Sequence, residues 1–190
     1  MPHITLETHL PGITGLLEYH QEAAKPIREL TQLLLRGPST LSEGERELIA
    51  TVVSNSNQCT FCTTAHTAAA NLYLGEKETA EAVKNNLPNA PITPKLKALL
   101  TIAVKVAESG KSVTDAIITE AKVAGATDLE IHNTVLIAAL FCLYNRYVDG
   151  LATAMPNNPN YFDGLAEVLV KEGYMRNPNR YDNLKKAENI

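Results

Sequence analysis

The 190-residue chain contains no tryptophan, only three cysteines, few aromatic residues and no excess of positive charge. Its formal net charge of -4 argues against a general affinity for nucleic acid or anionic membranes, which requires clustered Lys and Arg. The longest apolar run, residues 135–144, is too short to span a bilayer. The first eleven residues also lack the basic and apolar segments of a secretion signal. We therefore predict a cytoplasmic protein that binds neither nucleic acid nor membranes.

The three cysteines are too few and too scattered to form the disulfide framework of a small secreted protein. They suit a reducing compartment, in which a closely spaced dithiol can cycle between oxidation states. Cys142 lies within the apolar stretch 140–143, so we predict that it is a small buried hydrophobe. Cys59 and Cys62 remain as the candidates for thiol chemistry.

Helix start and stop signals occur throughout the chain, and no segment shows the two-residue alternation of a strand. Pro26 suits the first turn of a helix, and Gly37-Pro38 suits its end. Ser42 with Glu45, and Thr127 with Glu130, have the spacing of capping boxes. The signals predict helices over residues 26–36, 43–54, 59–74, 77–86, 94–109, 112–124, 128–146 and 161–171.

Hydrophobic residues make up 45% of the chain, enough for the core of one domain. We predict a single all-α domain over residues 1–190, with its core at about 25–155 and a C-terminal helix and polar tail over 156–190. The tail, from Arg176 onward, is expected to pack weakly or to wrap a partner. A capping box, an apolar helix and an Asn-containing exit occur at both 42–57 and 127–145, which indicates duplicated helical units.

Cys59, Cys62 and His66 form a Cys-x2-Cys-x3-His run, so all three share one face if the segment is helical. Two thiols beside an imidazole suit redox chemistry, in which one thiolate attacks and the other closes a disulfide. Cys59 would lie at the N-terminal end of its helix, where a thiolate is stabilised. Cys62 is the thiol one turn from His66. The spacing leaves open which of the two attacks.

The stretch from Glu47 to His66 has the pattern Glu-x11-Cys-x2-Cys-x3-His and resembles the alkylhydroperoxidase D (AhpD-like) and carboxymuconolactone decarboxylase family. Residues 99–108 and 145–151 resemble the peroxidase-related subgroup of that family, so the resemblance covers most of residues 25–155. It implies an all-helical fold with a duplicated helical motif that assembles into homo-oligomers. It also implies a cysteine-based peroxidase that reduces organic hydroperoxides without haem or metal.

The resemblance also implies roles for four residues. Cys62 matches the cysteine that attacks peroxide, and Cys59 matches the one that resolves the resulting sulfenic acid into a disulfide. Glu47 and His66 match the proton-relay positions. A dithiol protein, lipoyl-bearing or thioredoxin-like, would then reduce the disulfide.

Phe61 departs from the best-studied type of the family, which carries a histidine immediately before the second cysteine. One member of the relay is therefore absent, which predicts either slower peroxidase activity or a more apolar substrate. The Phe61 ring would either line a hydrophobic channel or simply pack in the core.

Three other functions fit parts of the same pattern. Cys59, Cys62 and His66 are potential zinc ligands, with Glu47 as one source of a fourth. Lactone decarboxylation belongs to relatives that lack the dithiol, and a non-catalytic helical protein could use its thiols to sense oxidants. Asn145, Arg146 and Asp149 would either contribute to a pocket or oligomer contact, or form an Arg146–Asp149 pair on a solvated face.

Overall fold

The computed structural model describes residues 1–179 of the chain. Within them the α-helices are α1 Ile13–Tyr19, α2 Gln21–Arg36, α3 Glu43–Ser56, α4 Thr60–Leu74, α5 Glu78–Asn86, α6 Pro94–Glu108, α7 Asp115–Val123, α8 Asp128–Gly150 and α9 Tyr161–Glu172. The described residues contain no β-strand, so the predicted all-α class is confirmed.

Both predicted capping boxes are present, at the starts of α3 and α8. Ser42 Oγ accepts a hydrogen bond from the Glu45 backbone N–H at 3.2 Å, and the Glu45 carboxylate accepts one from the Ser42 backbone N–H at 2.8 Å. Thr127 and Glu130 repeat this arrangement with the same two distances. Each box satisfies two backbone donors that a helix start leaves without intrahelical partners, and such a cap stabilises a helix by about 1 kcal/mol.

Three helix starts differ from the predictions. Helix α2 begins at Gln21, so Pro26 lies inside it rather than in its first turn, and the burial of Ala24 extends the packed face toward the N-terminus. Ser112 belongs to a short 3-10 turn, and α7 begins only after Thr114, whose hydroxyl caps it. Helix α1 was not predicted because it has only seven residues and no side-chain cap.

Helix α3 occupies the centre of the fold and packs against α2, α4, α5, α6 and α8. Its Leu48, Ile49 and Val53 are fully buried in the main hydrophobic cluster. A second cluster surrounds Cys59 and Cys62 and includes apolar side chains from α1, α4, α8 and α9: Leu16, Phe61, Ala65, Ala69, Val148, Leu165, Ala166 and Leu169. The cysteine pair thus lies where the first and last helices close over α4.

The two ends of the described chain meet through Glu18, whose carboxylate accepts hydrogen bonds from Arg28 and Arg176. The predicted polar tail from Arg176 begins here, and its residues 180–190 lie outside the described residues. None of the helices in residues 1–179 is long and apolar enough to cross a membrane.

Candidate active site

Cys59 lies in the tight connection between α3 and α4 and is the N-cap residue of α4. The preceding residue, Gln58, has a φ of 59°, a left-handed conformation that is uncommon for residues other than glycine. The Cys59 backbone N–H donates to the Ser54 carbonyl at 3.0 Å, and the Cys59 carbonyl accepts from the Thr63 N–H at 2.9 Å. This reversal places Cys59 and Cys62 on the first turn of α4.

The two thiols are free, buried and part of one apolar cluster. Hydrogen bonds from the Cys62 thiol and from the Cys62 backbone N–H lower the pKa of Cys59, although burial opposes them. The hydrogen bond to Cys59, burial and the Cys59 charge together raise the pKa of Cys62 well above its usual range. The first proton therefore leaves Cys59, in line with its position at the helix N-terminus.

Glu47 lies on α3 with its side chain fully buried, and three groups share its carboxylate. Oε2 lies 2.7 Å from His66 Nδ1, while Oε1 accepts from Arg36 Nη2 at 2.5 Å and from the Tyr174 hydroxyl at 2.6 Å. Burial alone raises the pKa of Glu47, but His66, Arg36 and Tyr174 lower it to about 2. Because Glu47 is an ionised acceptor, Nδ1 of His66 carries a hydrogen and the basic lone pair of neutral imidazole lies on Nε2.

Arg36 neutralises Glu47 from the C-terminal end of α2. Its guanidinium lies 4.8 Å from the ring centroids of both Tyr73 and Tyr174, and Nη1 donates to the Leu35 carbonyl at 2.9 Å. Burial lowers the pKa of Arg36, but the charge and hydrogen bond of Glu47, together with Tyr174 and Tyr73, outweigh it and raise the pKa overall. Arg36 is therefore a permanent cation that stabilises the buried carboxylate.

Tyr174 reaches this site from the segment that follows α9. Its backbone N–H donates to Gln32 Oε1 at 2.7 Å. Gly173, with a φ of 72°, lies so close to the Gln32 side chain that a Cβ there would clash at 2.4 Å. The Tyr174 ring lies nearly parallel to the His66 ring with a centroid separation of 6.3 Å, and the Phe141 ring meets the imidazole edge-on with a separation of 4.5 Å. These rings fix the orientation of His66.

The sequence analysis missed Arg36 and Tyr174. Arg36 was treated only as the end of its helix, and Tyr174 lies about 130 residues from Glu47 in the chain, so no local spacing connects them. The signal available for Tyr174 was the Gly-Tyr pair at the end of a helix, which is too general to identify a buried phenol. Of the four predicted residues, Glu47 and His66 are in direct contact, and Cys59 and Cys62 lie in one apolar cluster at the start of α4.

Phe61 belongs to the apolar cluster around the thiols and packs against two aromatic rings of α9. Its ring centroid lies 5.3 Å from that of Phe162 and 6.2 Å from that of Tyr161. Gly12, with a φ of 59°, lies against the Phe61 ring, and a Cβ at Gly12 would overlap it at 2.3 Å. Phe61 therefore joins α4 to the N-terminal segment and to α9.

The polar end of α8 is divided between different contacts. Asn145 is buried, and its side-chain amide donates to Ser54 Oγ at 3.0 Å and accepts from Asn57 Nδ2 at 2.9 Å. Arg146 Nη1 donates to the Cys142 carbonyl at 3.2 Å, and in residues 1–179 no ion pair joins Arg146 to Asp149.

Cys142 is partly exposed rather than fully buried. Within residues 1–179, no group of three or more His, Cys, Asp or Glu side chains is arranged to hold a metal ion.

We expect the buried Glu47 carboxylate to make stability fall in acid. Its pKa of about 2 in the folded state is below the ordinary 4.5, so its contribution is fully present above pH 4.5 and is lost as the pH falls toward 2. A difference of this size corresponds to about 3 kcal/mol. Urea unfolding between pH 6 and pH 2.5 should show a steeper loss for the natural protein than for Glu47→Gln, and parallel curves would contradict this assignment.

The fold is that of the AhpD-like helical proteins, and solved structures resemble it. A peroxidase-related protein from Ralstonia eutropha JMP134, described as an alkylhydroperoxidase AhpD core, is 26% identical with a TM-score of 0.73, covering 83% of this chain and 82% of its own. A peroxidase-related protein from Silicibacter sp. TM1040 is 28% identical with a TM-score of 0.72, covering 80% and 78%. A protein of unknown function from Agrobacterium tumefaciens, 22% identical with a TM-score of 0.63 and covering 75% and 97%, shares the fold.

The family model described as the carboxymuconolactone decarboxylase family matches residues 21–86 and again residues 77–154. The chain belongs to this family, and the two matches confirm the predicted duplication. The first match contains Glu47, both cysteines of the pair and His66. No curated protein matches the chain in sequence.

Proposed function

We propose that the protein is a thiol-dependent peroxidase that reduces organic hydroperoxides. The observation that carries the proposal is the buried Cys59–Cys62 dithiol, one helical turn from an imidazole whose Nδ1 is fixed by a buried, ionised Glu47. A dithiol supplies two electrons, and an oriented imidazole supplies a base and then an acid. The description of two relatives as peroxidase-related supports the same reaction.

In the proposed cycle, His66 takes one proton from the reduced pair. The Cys62 sulfur then attacks the terminal oxygen of the hydroperoxide, and its remaining proton passes to the Cys59 sulfur. A sulfur–oxygen bond forms, the oxygen–oxygen bond breaks, and His66 returns its proton to the departing alkoxide. Cys59 attacks the Cys62 sulfenic acid, and its proton leaves with the hydroxide as water. Two thiols are oxidised, and the hydroperoxide becomes an alcohol and water.

Arg36 and Tyr174 are positioning residues in this cycle. They hold the Glu47 carboxylate ionised, so that Glu47 can stabilise the imidazolium formed when His66 takes a proton. The apolar surroundings of the dithiol, which include Phe61 and Leu165, favour an organic hydroperoxide over a charged oxidant. We propose that a reduced lipoyl group or a thioredoxin-like dithiol in the cytoplasm reduces the disulfide again. We also propose that the protein assembles into a homo-oligomer.

The proposal is tested by adding one equivalent of cumene hydroperoxide to the fully reduced, metal-free protein. We expect rapid loss of two free thiols, a decrease in intact mass of about 2 Da from the two hydrogens lost, and a Cys59–Cys62 disulfide in the peptide map. Cys142 should remain free and serves as an internal control. Retention of all three thiols in excess oxidant would overturn the peroxidase and favour a decarboxylase-like relative acting on another substrate.

A further inference from the structure

A large cavity lies between the N-terminal segment and the loop that joins α8 to α9, and the proposed cycle gives it no role. Its lining consists of residues 1–11, residues 154–158 and Tyr161. The cavity volume is about 770 Å³. Sites for small organic molecules typically have volumes of about 300–1,000 Å³, so the cavity has the size of such a site.

The cavity adjoins the apolar cluster of the dithiol. Ile4, Leu6 and Tyr161 line the cavity and also pack against the cluster that contains Cys59 and Cys62. The side chains that would contact a molecule in the cavity are therefore the same ones that cover the cluster of the reactive sulfurs.

Phe61 connects the cavity lining to Cys62. The Phe61 ring centroid lies 6.2 Å from that of Tyr161, which lines the cavity, and Phe61 directly precedes Cys62 in the chain. Phe61 is itself buried in the cluster of the two cysteines. An organic group bound beside Tyr161 would thus be held close to the sulfur that is proposed to attack.

The N-terminal part of the cavity lining is fastened to the rest of the fold at both of its ends. The His3 backbone N–H donates to the Leu151 carbonyl at 3.0 Å, and the Gly12 N–H donates to the Ala154 carbonyl, also at 3.0 Å. Between these two points, Ile4 and Leu6 pack against the cluster of the dithiol. The cavity is therefore a defined part of the fold.

The cavity lining favours an uncharged ligand with an apolar body. Among residues 1–179, the lining includes a single carboxylate, Glu7, and neither a lysine nor an arginine side chain that would hold a carboxylate or phosphate group. The Glu7 side chain is mostly exposed and lies 3.7 Å from His9 Nδ1. The lining is otherwise mainly apolar and includes Ile4, Leu6, Leu10, Pro11, Met155, Pro156 and Tyr161.

We propose that this cavity binds the organic part of the hydroperoxide substrate, and that the substrate is an uncharged hydroperoxide with an aryl or branched alkyl group, similar in size to cumene hydroperoxide. Ile4, Leu6 and Tyr161 contact this group. Its burial provides binding energy that hydrogen peroxide, which has no organic part, cannot obtain. The inference rests on the proposed function for the reaction, but binding of the organic group is measured without any reaction.

The first test uses 2-phenyl-2-propanol, the alcohol that reduction of cumene hydroperoxide would yield. It is titrated into the reduced natural protein, and the side-chain methyl groups are followed by carbon-13 NMR. The methyl signals of Ile4, Leu6 and Met155 should shift and saturate, whereas those of Leu129, which is 62% exposed on α8 and outside the cavity, should not. Unchanged signals from the cavity up to the solubility limit, or equal shifts at Leu129, would overturn the proposal.

The second test reduces the space in the cavity with Leu6→Trp and compares the rates of thiol oxidation by cumene hydroperoxide and by hydrogen peroxide. The ratio of the two rates should fall about tenfold or more, because only the first oxidant has an organic group to bury. Leu129→Trp is the matched control, since it makes the same change on an exposed surface, and its ratio should equal that of the natural protein. Equal losses of rate with both oxidants in Leu6→Trp would contradict the assignment of the cavity.

The two tests separate this inference from the proposed function. The alcohol has no oxygen–oxygen bond, so its binding does not depend on peroxidase activity. A protein that binds the alcohol in the cavity but keeps its thiols in both peroxides would support the binding site and contradict the proposed reaction. If Leu6→Trp does not fold, the titration of the natural protein decides whether the cavity binds the organic group.

Discussion

Replacing Cys62 with Ser is expected to reduce hydroperoxide consumption to the background rate while leaving the fold intact. Serine is close in size to cysteine, and Cys62 is buried, so the change should alter stability by little more than one lost thiol contact. The loss of rate follows because the remaining thiol, Cys59, is two helical turns from His66, whereas Cys62 is one turn away. Turnover is measured with cumene hydroperoxide and a dithiol reductant.

Cys59→Ser is the informative partner of this variant. Without a resolving thiol, Cys62 should react once and stop at the sulfenic acid, which dimedone traps and peptide mapping assigns. Cys142→Ser, which changes a thiol outside the pair, should retain full turnover. Because the pKa of Cys59 is lowered, Cys59 is the alternative candidate for the attacking thiol. Dimedone labelling of Cys59 in Cys62→Ser, at the rate seen for Cys62 in Cys59→Ser, would reverse the proposed roles.

Glu47→Gln is expected to lower both the free energy of unfolding and the rate of Cys62 oxidation. The variant keeps the shape of the side chain but leaves the buried Arg36 cation without its counter-charge, and breaking a buried pair in this way typically costs about 3–5 kcal/mol. It also removes the carboxylate that stabilises a protonated His66. Loss of an oriented acid–base pair lowers rates by about 100-fold or more, so Cys62 oxidation should slow by at least that factor.

Glu130→Gln is the control that separates a loss of stability from a loss of oxidation rate. Glu130 is likewise a buried carboxylate, hydrogen-bonded to Thr40 and Lys95 and part of the capping box with Thr127, but it lies in the α8 start and contacts none of the site residues. We expect it to lose stability with an unchanged rate of Cys62 oxidation in the folded protein. Stopped-flow oxidation and urea unfolding of the two variants provide the comparison. Equal oxidation rates would mean that Glu47 has a structural role alone.

The parts of the fold that depend on local chemistry were predictable from the sequence. Capping boxes at Ser42 and Thr127 act over three residues, and Gly75 ends α4 in a left-handed conformation as the sequence indicated. The predicted start of α2 was wrong because burial of Ala24 against other helices outweighs the preference of proline for the first turn of a helix. Short elements without caps, such as α1, depend on packing that a sequence pattern does not report.

The candidate site likewise combines residues that the sequence predicted with residues that it did not. Cys59, Cys62 and His66 lie within the first two turns of α4, so their shared face follows from spacing, and Glu47 was located by family resemblance. The partners that set the charge of Glu47 come from α2 and from the segment after α9. These contacts arise when distant helices pack. Their residues, an arginine at a helix end and a tyrosine after glycine, have no distinctive local pattern.

The burial of the dithiol also has a kinetic meaning for thiol–disulfide exchange. Exchange requires an incoming sulfur to reach the attacked sulfur in a nearly straight line, yet Cys59 is 0% and Cys62 is 3% exposed beneath the first and last helices. In the folded protein, the buried thiols are therefore protected from thiol–disulfide exchange with bulky disulfides. We expect a small oxidant to reach the buried sulfurs more readily than a bulky protein reductant. Oxidation and reduction would then respond differently to solvent viscosity and to the size of the reagent.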